Sequence, residues 1–174
     1  MKKYLKKELV DTPHVDYINV IHSGDLLAWS NANGTRLSRL IKSIIRLLTM
    51  SEYSHVGIAF CMDNEVYVLE ALEPSIKLTL LRTVPGFYHI PMNIEWQPEY
   101  SRILADYICK SYSILDAIRG FFGKTDTSND RWQCAELAND FYRRIGLDFG
   151  DAYTPGLLIK AILMQTDTTI NYKS

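Results

Sequence analysis

Residues 53–71 read YSHVGIAFCMDNEVYVLEA, and this stretch decides the fold. Two apolar runs, 55–60 and 66–71, flank a polar interval in which Asp63-Asn64 suits a two-residue turn, the pattern of a β-hairpin. In an extended chain His55, Gly57 and Ala59 point to one side, while Val56, Ile58 and Phe60 point to the other. If Asp63 and Asn64 form the turn, Phe60 pairs with Tyr67, Ala59 with Val68 and Gly57 with Glu70. Glu70 then lies diagonal to His55 on the same face, at a Cα separation of roughly 7–8 Å that a glutamate can span to an imidazole nitrogen. A slip of one residue would throw Glu70 to the other face.

Outward from the hairpin, residues 24–29 read as a short strand, and 76–84 and 86–92 as two more. Residues 36–49 carry Leu37, Leu40, Ile41, Ile44, Ile45, Leu47 and Leu48 at helical spacing. Helices are expected over 99–110, near 113–122 and over 134–146, the last ending at Gly146 as a C′ residue. Thr154-Pro155 opens a final helix to about Met164, with Thr as N-cap and Pro at the first helical position. Strands followed by helices predict an α+β fold, a small antiparallel sheet packed against helices. With no repeat, low-complexity segment or linker, residues 1–174 read as one domain, with 1–22 a peripheral N-terminal extension.

Cys134 is the first residue with chemical promise. Asp130 and Gln133 have the spacing of a capping box, which puts Cys134 in the first turn of its helix. Unpaired amides and the positive end of the macrodipole favour a thiolate there. Cys134, Ala138, Phe141 and Ile145 share the core-directed face, although a small buried hydrophobe is the ordinary state of an intracellular cysteine. The imidazole of His55 stands beside two very small residues, and that face is expected to admit the helix closely enough for its terminal sulfur to meet the ring. Glu70 would orient the ring, fix its tautomer and stabilise the imidazolium. A thiolate, a base and an orienting carboxylate are the parts of covalent acyl transfer. The Cys134 backbone amide, then Gln133, are the candidate oxyanion donors, and Tyr53 is expected to line the cleft.

At these residues the chain resembles the circularly permuted papain-fold cysteine peptidases and amidases of the NlpC-type superfamily, particularly the YiiX-like branch with its poxviral relatives. The matching pieces are Gly24-Asp25-Leu26-Leu27, Tyr53-Ser54-His55-Val56-Gly57-Ile58, Val68-Leu69-Glu70-Ala71, Cys134-Ala135-Glu136-Leu137 and Thr154-Pro155-Gly156-Leu157. The resemblance implies a permuted papain-like sheet or partial barrel, with Cys134 as nucleophile, His55 as general base and Glu70 as third polar residue. It implies hydrolysis of a peptide, isopeptide or cell-wall amide bond. A lipid or thioester acyl hydrolase or transferase of the lecithin retinol acyltransferase-like type is the second option it opens. The chain departs from the pattern at Ala135, where Ser is frequent, and at Gln133, where an aromatic residue is.

The chain has 174 residues, 47% hydrophobic and 22% charged, with 19 Lys plus Arg against 20 Asp plus Glu. A net charge of -1 offers no global field for nucleic acid. Cys61, Cys109 and Cys134 form no zinc pattern, and no phosphate-cradling glycine loop occurs, so no metal or cofactor is expected. Arg36, Arg39, Lys42 and Arg46 make a basic helix face suited to anionic lipid headgroups or an acidic substrate, or simply to water; the lysines near the N-terminus add to the same idea. Acidic residues interrupt the N-terminal stretch before an apolar region can form, so no export signal is expected. No uncharged run approaches the about 20 residues of a spanning helix, and a cytoplasmic or virus-associated protein is expected. His14, His22 and His89 read as surface or loop residues, and Trp29, Trp96 and Trp132 as core or rim aromatics. A papain-like binding module without catalysis is the non-enzymatic alternative.

Overall fold

The computed structural model describes residues 9–10, 14–30, 53–72, 75–84, 86–108, 110–112, 131–166 and 171–173. Its centre is an antiparallel sheet of five strands: β2 (Leu26–Trp29), β3 (His55–Met62), β4 (Glu65–Leu72), β5 (Ser75–Leu80) and β6 (Phe87–Ile90), in the order β6-β2-β3-β4-β5. Short strands extend both edges. Beyond β6 lie β9 (Asn171–Lys173) and β1 (Leu9–Val10), and beyond β5 lie β7 (Ser111–Tyr112) and β8 (Arg131–Trp132). Three helices follow the central strands: α1 (Pro98–Ala105), α2 (Cys134–Arg144) and α3 (Pro155–Gln165). The expected helices over 36–49 and 113–122 lie outside the described residues.

The hairpin forms in the expected register, with Phe60 opposite Tyr67 and Ala59 opposite Val68. Asp63 and Asn64 close it with φ of 52° and 58°, both left-handed, as the turn matched to strand twist requires and as short side chains that bond their own backbone tolerate. The expected strand over 76–84 ends earlier, at Leu80, where the chain tightens into a 3-10 turn at Leu81–Thr83. Helix α2 ends as expected: Gly146, at φ +93°, turns the chain so that its amide and that of Leu147 bond the Arg143 and Tyr142 carbonyls.

Both faces of the sheet are buried. Leu26, Ala28, Val56, Ile58, Leu69, Ala71 and Tyr88 pack against Leu104, Ala135, Ala138, Phe141, Leu158 and Ile162 of the helices. The opposite face, with Leu27, Trp29, Ala59, Val66, Val68 and Phe87, is closed by Tyr17 and Ile21. Tyr17 meets Phe87 edge to face at 5.5 Å. Residues 14–22, expected to lie peripherally, are therefore a strap that seals the second core. They do so because a sheet apolar on both faces must be covered on both.

This arrangement corrects one expectation. The helices cover the Val56 and Ile58 face, not the face of His55, Gly57 and Ala59. The small residues that permit close approach are on the helix, Ala135 and Ala138, both fully buried.

Candidate active site

Cys134 is the first residue of α2 and His55 the first of β3. Their contact is made at the strand end, where a group from the helical layer can reach a side chain that belongs to the other face. The helix start differs from the expectation in detail. Gln133, not Asp130, is the N-cap, and its amide donates to the Glu136 carboxylate at 3.4 Å. Gln133 and Glu136 have the same spacing as the expected pair, and the acidic side chain complements the helix dipole better than a neutral amide does. Cys134 thus sits one step from the cap, at the positive end of the helix dipole. Asp130 lies outside the described residues.

The His55 ring bridges two groups. One ring nitrogen, Nε2, lies 2.9 Å from Glu70 Oε2, with His55 7% and Glu70 4% exposed. Cys134 is the second side-chain hydrogen-bond partner of the imidazole. Burial pulls the imidazole pKa down. The hydrogen bonds and charges of Cys134 and Glu70 outweigh it and hold the group up at about 9. Burial likewise opposes ionisation of Cys134. The imidazolium and backbone hydrogen bonds from Val56 and Ala135 prevail and bring the thiol below its ordinary value. Glu70 is lowered too: burial works against its charge, but the bond to His55 and smaller contributions from Thr79 and Lys77 dominate. All three shifts favour the charged forms: thiolate, imidazolium and carboxylate in a row.

Trp29 is paired directly across from His55 on β2, and its indole tilts against the imidazole at a centroid separation of 5.4 Å. The Ser54 amide and hydroxyl both donate to the Trp29 carbonyl, at 2.9 and 3.2 Å. The chain entering the histidine is thus tied to the strand that carries the tryptophan. Sequence reasoning placed Trp29 only as a core or rim aromatic; recognising its contact with His55 requires the β2–β3 pairing.

Tyr53, expected in the cleft, is instead 7% exposed and meets Tyr88 edge to face at 5.1 Å within the helix-covered core. Gln133 is half-buried beside Cys134. Arg36, Arg39, Lys42 and Arg46 lie outside the described residues.

His89 is corrected outright. It is 1% exposed on β6, with Nε2 2.8 Å from Asp25 Oδ2. Asp25 also accepts the amides of His22 and Met92, each at 2.9 Å. This carboxylate ties together the entry of β2 and the exit of β6, and its partners are too far apart in the chain for spacing to reveal them. Among the described residues, no group of three or more His, Cys, Asp or Glu stands close enough to hold a metal ion, and no helix is long and apolar enough to cross a membrane.

No family model matches the chain, and no curated protein does. Among solved structures, one titled as the crystal structure of metalloprotein yiiX from Escherichia coli O157:H7 superposes with a TM-score of 0.56. The match covers 83% of this chain and 81% of that chain, at 21% sequence identity. The two share a fold.

Proposed function

We propose that the chain is a cysteine hydrolase of the permuted papain-like type that cleaves an amide or peptide bond through an acyl-enzyme on Cys134. One observation carries the reading: a single buried imidazole is held at 2.9 Å by Glu70 and is also hydrogen-bonded to Cys134, at a helix start. The shared fold with yiiX agrees with it and adds no chemistry.

In this reading the Cys134 thiolate attacks the substrate carbonyl carbon, forming the C–S bond while the carbonyl π electrons move to oxygen. The Cys134 backbone amide, at the first helical position, is the candidate oxyanion donor. The imidazolium Nδ1–H protonates the leaving amine as the C–N bond breaks, which leaves a thioester and a neutral imidazole. His55 then takes a proton from water, the hydroxide adds to the thioester carbonyl, and the C–S bond breaks to release the acid and return the thiolate. Glu70 touches neither substrate nor water; it keeps Nε2–H engaged so that Nδ1 does the transfers, and it stabilises the imidazolium.

The test offers cell-wall peptides, ubiquitin-like isopeptides and phospholipids in parallel to wild type and Cys134→Ala, with intact mass read at early times. The expected result is turnover of an amide substrate and an acyl adduct on the wild type, both absent from the variant. Turnover that survives the substitution would exclude Cys134 as nucleophile. Turnover of phospholipid alone would replace the amide reading by an acyl-lipid one.

A further inference from the structure

Between Glu70 and His55, on the face they share, stands Gly57. One step along the ladder from the Ile58–Leu69 pair, Gly57 faces Glu70 directly, and His55 is the next residue on that face of β3. Its backbone does not require a glycine, since the glycines with left-handed φ among the described residues are Gly24, Gly146 and Gly150. The space does. A Cβ at position 57 would lie 2.5 Å from Val68 Cγ2, 2.9 Å from the Leu69 carbonyl oxygen and 3.3 Å from Glu70 Cβ. The first of these belongs to a small branched side chain. The second is ladder backbone and the third is the root of the carboxylate itself, so neither yields without moving β4.

The consequence concerns reach. A diagonal pair on an antiparallel ladder sits roughly 7–8 Å apart at Cα, and position 57 is the corner between the two, opposite Glu70 and next to His55 on the same face. An empty position there lets the two strands close and leaves the carboxylate free to lie across the gap to its 2.9 Å bond with Nε2. We infer that Gly57 is a positioning residue: its bare Cα sets the approach of β4 to β3 that lets Glu70 hold the His55 ring toward Cys134. The inference rests on the proposed reading of the site and assigns a residue which that reading leaves without a role.

The experiment compares wild type, Gly57→Ala, Val68→Ala, Gly57→Ala/Val68→Ala and Glu70→Gln as full-length chains. Three quantities are measured: the His55 titration midpoint by NMR, the alkylation rate of Cys134 at pH 7, and thermal unfolding. The groups that bear on the titration are Cys134 on α2, Glu70 on β4 and, behind Glu70, Lys77 on β5. None of these is altered in the Gly57 and Val68 variants. Glu70→Gln sets the scale, with an expected drop of about one pH unit in the His55 midpoint and about tenfold in alkylation. Gly57→Ala should reproduce most of both changes. Val68→Ala alone should leave the midpoint where it is.

The double variant decides between positioning and packing. It removes the 2.5 Å overlap and keeps the two contacts with Leu69 and Glu70, so it should regain thermal stability while the His55 midpoint stays low. A midpoint restored to the wild-type value would overturn the inference, because Gly57 would then merely make room for Val68. So would a Gly57→Ala midpoint equal to wild type, or failure of both Gly57 variants to fold, which would assign the glycine to sheet integrity. If instead Glu70→Gln itself moves neither quantity, the proposed function fails, and the inference with it.

Discussion

The two cysteines described by the structure make opposite chemical predictions, which can be read in one labelling experiment. Cys134 is bonded to an imidazolium and lowered. Cys61 donates its thiol to the Ile21 carbonyl at 3.3 Å, and burial pushes its pKa up, with a smaller push from Asp25, against a hydrogen bond involving Ser23. At pH 6.5 an ordinary thiol of pKa about 8.5 is about 1% ionised. Each unit by which a thiol is lowered raises that fraction about tenfold while giving back about threefold in nucleophilicity at a Brønsted slope of about 0.5. Cys134 should therefore label faster than an ordinary thiol by about threefold for each unit of its lowering, and faster again than the raised Cys61. The assay is iodoacetamide labelling at pH 6.5 with peptide-level mass spectrometry, which also separates Cys109. His55→Ala should slow Cys134 to the rate of an ordinary thiol and leave Cys61 unchanged. Equal labelling of Cys134 and Cys61 in the wild type, or a Cys134 rate indifferent to His55, would refute the ion-pair reasoning.

Three further outcomes follow from the same contacts. His55, held at about 9 against 6.5, contributes stability that is complete below pH 6.5 and lost as pH rises through 9; Cys134, lowered, contributes stability present above the ordinary thiol range and lost as pH falls through its folded midpoint. Measured against His55→Ala/Cys134→Ala, the fall contributed by His55 as pH rises toward 9 should be offset by the rise contributed by Cys134 above its folded midpoint, and a decline with no such offset would show that Cys134 does not ionise with the ring. Asp25→Ala strands the His22 and Met92 amides and the His89 ring at about 1–3 kcal/mol for each buried group, so urea denaturation should show a loss of about 3 kcal/mol or more, and a loss under about 1 kcal/mol would demote the carboxylate to a bystander. Thr154 accepts the Leu157 amide at 3.3 Å, and Thr154→Ala should cost about 1 kcal/mol in the same assay, with no effect on the His55 titration; movement of that titration would show that α3 reaches into the site.

The hairpin was legible because three local signals agree: side-chain alternation on both strands, a turn pair that tolerates left-handed φ, and equal strand lengths on either side. Once that register is fixed, Glu70 can lie only on the face of His55, and half of the site follows from residues 53–71 alone. The helix start was legible within one turn, yet its cap was misassigned because Asp130–Gln133 and Gln133–Glu136 offer the same spacing. What could not be read was which face each layer covers. Small residues at Gly57 and Ala59 suggest room for a helix, but the room at Gly57 is taken by the neighbouring strand, and Ala59 lies under the Tyr17 and Ile21 strap. His89 escapes sequence reasoning for a related reason: its partner is 64 residues away, just before β2, and the pairing of β2 with β6 leaves no mark on local spacing.

That misreading bears on how the site works. Had the helix covered the face of His55 and Glu70, the sulfur, the ring and the carboxylate would share one side of the sheet, and helix packing would set all their distances. Instead the sulfur is delivered from the helical layer and the carboxylate from the opposite face, and the ring at the end of β3 is their meeting point. The ladder therefore controls the His55–Glu70 bond and α2 controls the Cys134–His55 bond, two largely independent constraints. Loosening α2 through Ala138→Gly, a helix-interior change of about 1 kcal/mol, should slow Cys134 alkylation while leaving Nε2 bonded to Glu70. Crowding the ladder at Gly57 should release the ring from the carboxylate while α2 stays in place, and the slower alkylation expected there follows from the lost Nε2–Glu70 bond. If Ala138→Gly also breaks the Nε2–Glu70 bond, read from the imidazole N–H signal by NMR, the two constraints are one, and the division of labour between sheet and helix is wrong.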